Sequence, residues 1–192
     1  IAILPLLGMG AVQLARAESP GPMPDRLTPR FRETAKKLWY AYVVLTGLQI
    51  VLLWAGDMTG FEAVNHAFTT MSTGGFSTNA GSLGAFSAYA QWVVIVFMLL
   101  AGASFSLHYK AIRQPLVHFR SAEFRLYLGI VGLAGAAFAV ANWGESAHDS
   151  IRDGLFTSLT IITTTGYGTS DFALWAPALQ IGIVGLMFIG GM

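Results

Sequence analysis

The chain contains no cysteine, which excludes disulfides, thiolate metal sites and cysteine nucleophiles. Charge is scarce as well, at 11% of residues against about a quarter in an ordinary soluble domain. Histidines and carboxylates are too few and too scattered to compose a nucleophile or metal motif, so no enzyme is expected. A net charge of +1 without a basic stripe gives no reason to expect nucleic acid among the partners. What fills the sequence instead is apolar residues, 54% of the total, with a mean hydropathy of +0.59. They fall into four long blocks, Leu38–Ala55, Trp92–Leu107, Leu126–Trp143 and Ala173–Met192, preceded by an apolar tail, Ile1–Leu14. With their flanks, each full block approaches the roughly 17–25 residues that a helix needs to cross hydrocarbon. The first residue is Ile1, with no basic lead, and Gly190, Gly191 and Met192 end the chain inside an apolar run. An internal segment of a longer membrane protein is therefore expected, without a signal peptide.

The charges sort by connection. Arg16, Arg26, Arg30, Arg32, Lys36 and Lys37 precede the first full block, and Lys110, Arg113, Arg120 and Arg125 separate the second from the third. Those two connections hold ten of the eleven basic residues. The other two, Gly56–Gln91 and Gly144–Leu174, hold only Arg152 against Asp57, Glu62, Glu145, Asp149, Asp153 and Asp171. Basic residues in short loops stay in the cytosol, which places 16–37 and 108–125 inside and the acidic connections outside. Trp39, Tyr40, Tyr42, Trp54, Trp92, Tyr127, Trp143 and Trp175 gather near block ends, as an interfacial aromatic belt does.

The two halves repeat at a shift of 91 residues. Thr69, Thr73, Gly75 and Thr78 fall on Thr160, Thr164, Gly166 and Thr169, and the inner block from Trp92 falls on the one from Ile183. In each outer connection a short amphipathic stretch, Phe61–Met71 or Ser150–Ile162, leads into Ser72-Thr73-Gly74-Gly75-Phe76-Ser77-Thr78 or Thr163-Thr164-Thr165-Gly166-Tyr167-Gly168-Thr169. The stretches are too short to span. The pattern predicts an all-α membrane protein of repeated outer helix, pore helix, filter loop and inner helix. Non-helical backbone at that depth is tolerated where it lines a watery path.

Such a loop suits a potassium ion. Shedding water costs an ion little only if oxygens replace it, and backbone carbonyls can do so where glycine permits the required dihedrals. Threonine hydroxyls add oxygens, and the pore helix directs its partly negative C-terminal end at the ion path.

Thr164-Thr165-Gly166-Tyr167-Gly168 is close to the potassium-channel TVGYG pattern. The stretch from Ser72 to Thr78, together with Pro5-Leu6-Leu7-Gly8, Arg16-Ala17-Glu18-Ser19-Pro20-Gly21-Pro22, Glu33-Thr34-Ala35-Lys36, Glu123-Phe124-Arg125 and Phe188-Ile189-Gly190-Gly191, resembles the Trk/Ktr/HKT potassium transporter superfamily, in its bacterial TrkH type. The resemblance covers nearly the whole chain. It implies a potassium-channel-like pseudo-tetramer in the bacterial inner membrane, of which this chain is part. Residues 1–15 then end one unit, 38–107 form the second, 126–192 form most of the third, and 16–37 and 108–125 are cytosolic loops. It also implies potassium uptake with no cofactor beyond the ion, a homodimer, and a cytosolic nucleotide-binding regulatory subunit like TrkA. The ion-coordinating positions carried over are Thr73, Gly74, Gly75 and Phe76 with Thr164, Thr165, Gly166 and Tyr167, the glycines Gly75 and Gly166 being central. Gly190-Gly191 would approach an intramembrane gate. In the family a filter typically keeps a single glycine; Gly-Tyr-Gly in the third loop departs from this toward a true channel.

Several residues have blander readings. Gly129, Gly132, Gly135, Gly182 and Gly185 are expected to pack helix against helix. His66 suits packing or a hydrogen bond to the loop better than ion binding, and His108 and His118 suit a solvated loop. Arg152 can pair with Asp149 or Asp153, with little energetic weight. Asp57, Glu62, Asp149 and Asp171 can concentrate cations at the outer mouth. Two alternatives to a Trk-type transporter are a tandem two-pore potassium channel and a non-transporting scaffold with re-entrant loops.

Overall fold

The computed structural model describes residues 31–103, 121–141, 146–170, 172 and 175–190. The apolar tail Ile1–Leu14, most of the two basic connections with His108 and His118, and Asp171 and Gly191 lie outside the described residues. Among the described residues, six α-helices follow in order: α1 (Phe31–Trp54), α2 (Gly60–Met71), α3 (Ala88–Ala101), α4 (Ala122–Ala141), α5 (Ala147–Ile162) and α6 (Pro177–Gly190), with a 3-10 turn at Ser82–Ala85 before α3. Among the described residues there is no strand. Outer, pore and inner helix therefore occur twice, α1-α2-α3 and α4-α5-α6. Each pore helix packs on its own outer and inner helices, and α3 of the first set also packs on α5 of the second.

The shared core is apolar. Leu53, Leu83, Val94, Met98, Phe138, Phe156 and Leu159 form one buried cluster that runs through both sets. Large apolar side chains also face outward, among them Trp39, Val44, Val51 and Trp54 on α1, Leu133 and Val140 on α4, and Ile181 and Phe188 on α6. A helix that is apolar on its exposed as well as its buried side is covered by further protein or by hydrocarbon.

Among the described residues, two expectations from the sequence are met only in part. Of the four apolar blocks, only α4 is a described helix long and apolar enough to cross a membrane. The apolar part of α1 is Leu38–Trp54, because its first turns carry Arg32, Glu33, Lys36 and Lys37, while α3 and α6 are 14 residues each as described. The second concerns glycines. Gly129, Gly132 and Gly185 have open space where a Cβ would stand, and for Gly182 the nearest atom is a Phe138 ring carbon at 4.0 Å. Gly135 does pack, with Leu155 against it, and Gly154 on α5 faces it: a Cβ on Gly154 would come within 2.7 Å of the Ala139 amide nitrogen. The close crossing of α4 and α5 thus rests on one glycine from each helix.

The repeat is exact through the loops and slips after them. Gln91 on α3 donates to the carbonyls of Leu83 and Phe86, at 3.0 and 3.1 Å. Gln180 on α6 donates to Phe172 and Trp175, at 3.5 and 3.1 Å, with the same offsets along the chain. The shift from Gln91 to Gln180 is 89, so the inner block from Trp92 does not fall on Ile183. Two residues are missing from the outer loop of the second set.

The start of α3 is held from the end of α1. Asp57 accepts from the Ser87 amide at 2.9 Å and from its hydroxyl at 2.7 Å, and Ser87 Oγ caps α3 by accepting from the Ala90 amide. Partial burial raises the Asp57 pKa, but the Ser87 hydroxyl and amide outweigh it, leaving the carboxyl below its ordinary 3.8. A depressed carboxylate pKa stabilises the fold fully above the ordinary value, and the contribution disappears as pH falls through the lower folded value. The melting-temperature gap between the wild type and Asp57→Asn in detergent should then be constant near neutral pH and close only below 3.8. A gap that closes between pH 5 and 7 would contradict this.

Candidate functional site

Each pore helix ends in the same hydrogen-bonded turn. In the first, the Ser72 amide donates to Phe68, the Thr73 amide to Thr70 and the Gly75 amide to Thr69; in the second, Thr163 donates to Leu159, Thr164 to Ile161 and Gly166 to Thr160. The hydroxyl of Thr69 then reaches the Phe76 carbonyl at 2.9 Å, and that of Thr160 reaches the Tyr167 carbonyl at 3.1 Å. All four pairs correspond at a shift of 91. Thr73 (φ 53°) and Gly75 (φ 64°) are left-handed, as are Thr164 (φ 56°) and Gly166 (φ 88°), with Gly74 and Thr165 between them on the ordinary side. Glycine takes such dihedrals freely, whereas a side chain makes them cost roughly 1–2 kcal/mol. Thr73 and Thr164 adopt them regardless, and the hydrogen-bonded turns above supply the opposing constraint.

That backbone leaves oxygens free. Among the described residues, the carbonyls of Thr73, Gly74 and Gly75 and those of Thr164, Thr165 and Gly166 accept no hydrogen bond. Thr73 and Gly75 are half-buried and Thr165 is buried, settings in which carbonyls are almost always paired. Six unpaired ones, grouped in two adjacent loops, can instead replace water around a cation. The carbonyls of Phe76 and Tyr167 differ, since each already accepts from a pore-helix threonine.

The two loops touch. A methyl group on Gly75 would overlap the Thr165 carbonyl oxygen and lie 3.1 Å from the Gly166 carbonyl carbon. Tyr167 reaches back over the first pore helix, where its hydroxyl lies 2.6 Å from Thr69 Oγ1, 3.2 Å from Thr70 Oγ1 and 3.1 Å from the His66 carbonyl. Beyond it, the Gly168 amide donates to Ser82 Oγ at 3.1 Å and the Gly168 carbonyl accepts from the Gly84 amide at 3.1 Å. The second loop is thus fastened to the first set at its centre, its aromatic ring and its outer end. Corresponding positions on the open sides are unpartnered: Phe76 is 76% exposed where Tyr167 is 3% exposed. A Cβ on Gly166 meets no atom within 4 Å.

A family model described as TrkH, cation transport protein, matches residues 1–128, two thirds of the 192 residues. The chain belongs to the TrkH cation transport protein family. Among TrkH relatives, the Trk system potassium uptake protein TrkH of Vibrio parahaemolyticus is 40% identical over all of this chain and 41% of its own length. The Escherichia coli protein of the same name is 36% identical with the same coverage, and the Escherichia coli Trk system potassium uptake protein TrkG is 33% identical. The chain spans about two fifths of the length of these relatives. The crystal structure of the potassium transporter TrkH from Vibrio parahaemolyticus superposes with a TM-score of 0.80 at 33% identity, over 96% of this chain and 42% of that one. The doubled helical unit is therefore the TrkH fold, that of a potassium-channel-like membrane transporter.

The eight loop positions singled out in the sequence all lie in these two loops, Thr73 to Phe76 and Thr164 to Tyr167. Sequence reasoning aligned Thr69 with Thr160 but gave them no role, and it missed Thr70, Ser82 and Gly84. Only the 91-residue register pointed to the threonines. Arg152 pairs with Asp149 at 2.7 Å and approaches Asp153 at 3.6 Å. Asp57 caps α3, and Glu62 closes the α2 capping box with Thr59 at 2.8 Å. Asp57, Glu62 and Asp149, three of the four acids named above as possible cation concentrators, are therefore engaged locally.

Proposed function

We propose that this TrkH segment forms two walls of a potassium-selective pore in an uptake protein of the bacterial inner membrane. The carbonyls of Thr73, Gly74 and Gly75 and of Thr164, Thr165 and Gly166 replace water around the passing ion, with Phe76 and Tyr167 bracing them. The observation that carries this reading is the pair of touching loops, alike in dihedrals and hydrogen bonds, whose central carbonyls have no partner. The potassium uptake proteins among its relatives support potassium as the ion. Exposed Phe76 and the open space at Gly166 are the faces that two further repeats would cover, giving four loops around one axis. In this reading 38–107 and 126–192 are the second and third units, joined by a cytosolic 108–125, with 16–37 also cytosolic. The relatives' description as parts of a system supports a regulatory partner, and the family resemblance supports a cytosolic nucleotide-binding one and a homodimer. No cofactor beyond the ion is required.

The test is growth. Expressed in full in a bacterial strain stripped of its own potassium uptake systems, the protein should restore growth at limiting potassium and take up radioactive rubidium. Growth that returns only with excess potassium, and no rubidium uptake from protein present in the membrane, would sink the reading in favour of a scaffold.

A further inference from the structure

The first loop is held from behind by a side chain that has no counterpart in the second. His66 is buried on α2 with no exposed surface. Its Nδ1 lies 2.8 Å from the Glu62 carbonyl oxygen, and its Nε2 lies 2.9 Å from the Ser77 hydroxyl. A carbonyl only accepts, so Nδ1 carries the proton and Nε2 of the neutral ring accepts from Ser77. Ser77 Oγ accepts in turn from the Asn79 amide at 3.2 Å. The His66 carbonyl takes the Tyr167 hydroxyl, and its ring meets Phe86 edge-on with centroids 4.9 Å apart. One residue thus touches the outer end of its own loop and the aromatic anchor of the neighbouring loop. At a shift of 91 the same positions are Thr157 and Gly168. Gly168 has no side chain to hold, and Ser82 and Gly84 of the first set hold its backbone instead. The outer ends of both loops are therefore fixed by the first set, and the first loop is fixed through an imidazole.

We propose that His66 is a positioning residue for ion selectivity, acting through its hydrogen bond to Ser77; the inference rests on the loops being a potassium path. Ser77 directly follows Phe76, and the free carbonyls of Thr73, Gly74 and Gly75 lie between that point and the end of α2. With the outer end pinned, the oxygens keep the separation that suits potassium. Released, the loop can close on a smaller ion, and discrimination against sodium falls while flux persists. A merely structural histidine would change the amount of protein and leave the ratio alone.

The experiment compares rubidium and sodium uptake, normalised to membrane abundance, for His66→Leu, His66→Gln, Ser77→Ala and the double variant His66→Leu/Ser77→Ala in the full protein. His66→Leu and Ser77→Ala should each lower the rubidium-to-sodium ratio by about five-fold, the scale of one hydrogen bond. The double variant should be no worse than either single one, because both remove the same bond. His66→Gln, whose amide can still reach Ser77, should recover most of the ratio. Ser77→Ala keeps the test open if His66→Leu does not reach the membrane. A wild-type ratio in Ser77→Ala, or independent losses that multiply in the double variant, overturns the proposal. Absence of rubidium uptake by the wild type would instead overturn the underlying reading, and this inference with it.

Discussion

Gly75→Ala should nearly abolish potassium uptake. Gly75 is left-handed, so the substitution carries a backbone cost of roughly 1–2 kcal/mol. The new methyl group also overlaps the Thr165 carbonyl oxygen. A clash with backbone cannot be relieved by turning a side chain, and overpacking of this kind costs about 1–3 kcal/mol more. The sum, about 3 kcal/mol, corresponds to about a hundred-fold loss of the competent geometry. Gly166→Ala carries the same backbone cost, and a further repeat would cover its open side, so its loss should be of the same order. The displaced atom at Gly75 is itself one of the free oxygens, so selectivity should fall along with flux. Gly154→Ala serves as the stability control. It wedges α4 from α5 far from any free carbonyl, so it should lower abundance and leave the rubidium-to-sodium ratio intact. Radioactive uptake with immunoblotted membrane protein reads all three. Near-wild-type uptake in Gly75→Ala would mean that the two loops do not meet as described.

Tyr167→Phe should separate the loops without emptying the core. The ring is buried and its volume is kept, but the hydroxyl disappears from between Thr69, Thr70 and the His66 carbonyl. Thr70 is fully buried, and a buried group deprived of its partner costs about 1–3 kcal/mol. The expected result is a clear drop in melting temperature in detergent, together with a weaker preference for potassium over sodium. The reverse exchange, Phe76→Tyr, concerns a ring that is 76% exposed here and should leave the stability of this segment unchanged. A wild-type melting temperature and ion preference in Tyr167→Phe would show that the hydroxyl contacts carry no coupling between the loops.

Much of this was legible because it is local. The Thr/Gly stretches, the amphipathic helices before them and the 91-residue register all follow from short patterns. The boundaries of α2 came within one residue from its amphipathic pattern, and in the structure Thr59 and Glu62 close its start as a capping box. α5 begins three residues earlier than the pattern suggested, at Ala147, where Ser146 makes no side-chain cap. The two-residue slip after the loops was invisible because apolar helices align almost equally well in either register, and only the Gln91 and Gln180 bonds fix it. For the same reason Gly129 and Gly132 were expected at a helix contact. An apolar helix in hydrocarbon has no polar face to show which side is outside. Contacts between the repeats left no trace in the sequence. Nothing near Tyr167 announces that its hydroxyl will meet a residue a hundred positions earlier, and Ser82 reads as an ordinary turn serine until Gly168 is seen beside it.

Anomalous diffraction from crystals of the full protein grown in rubidium shows whether the free carbonyls of the two loops hold the permeating ion. A rubidium peak is expected on the pore axis beside the carbonyls of Thr73, Gly74 and Gly75 and of Thr164, Thr165 and Gly166, weakened when sodium replaces rubidium. Rubidium bound elsewhere in the protein, with none beside these six oxygens, would contradict it.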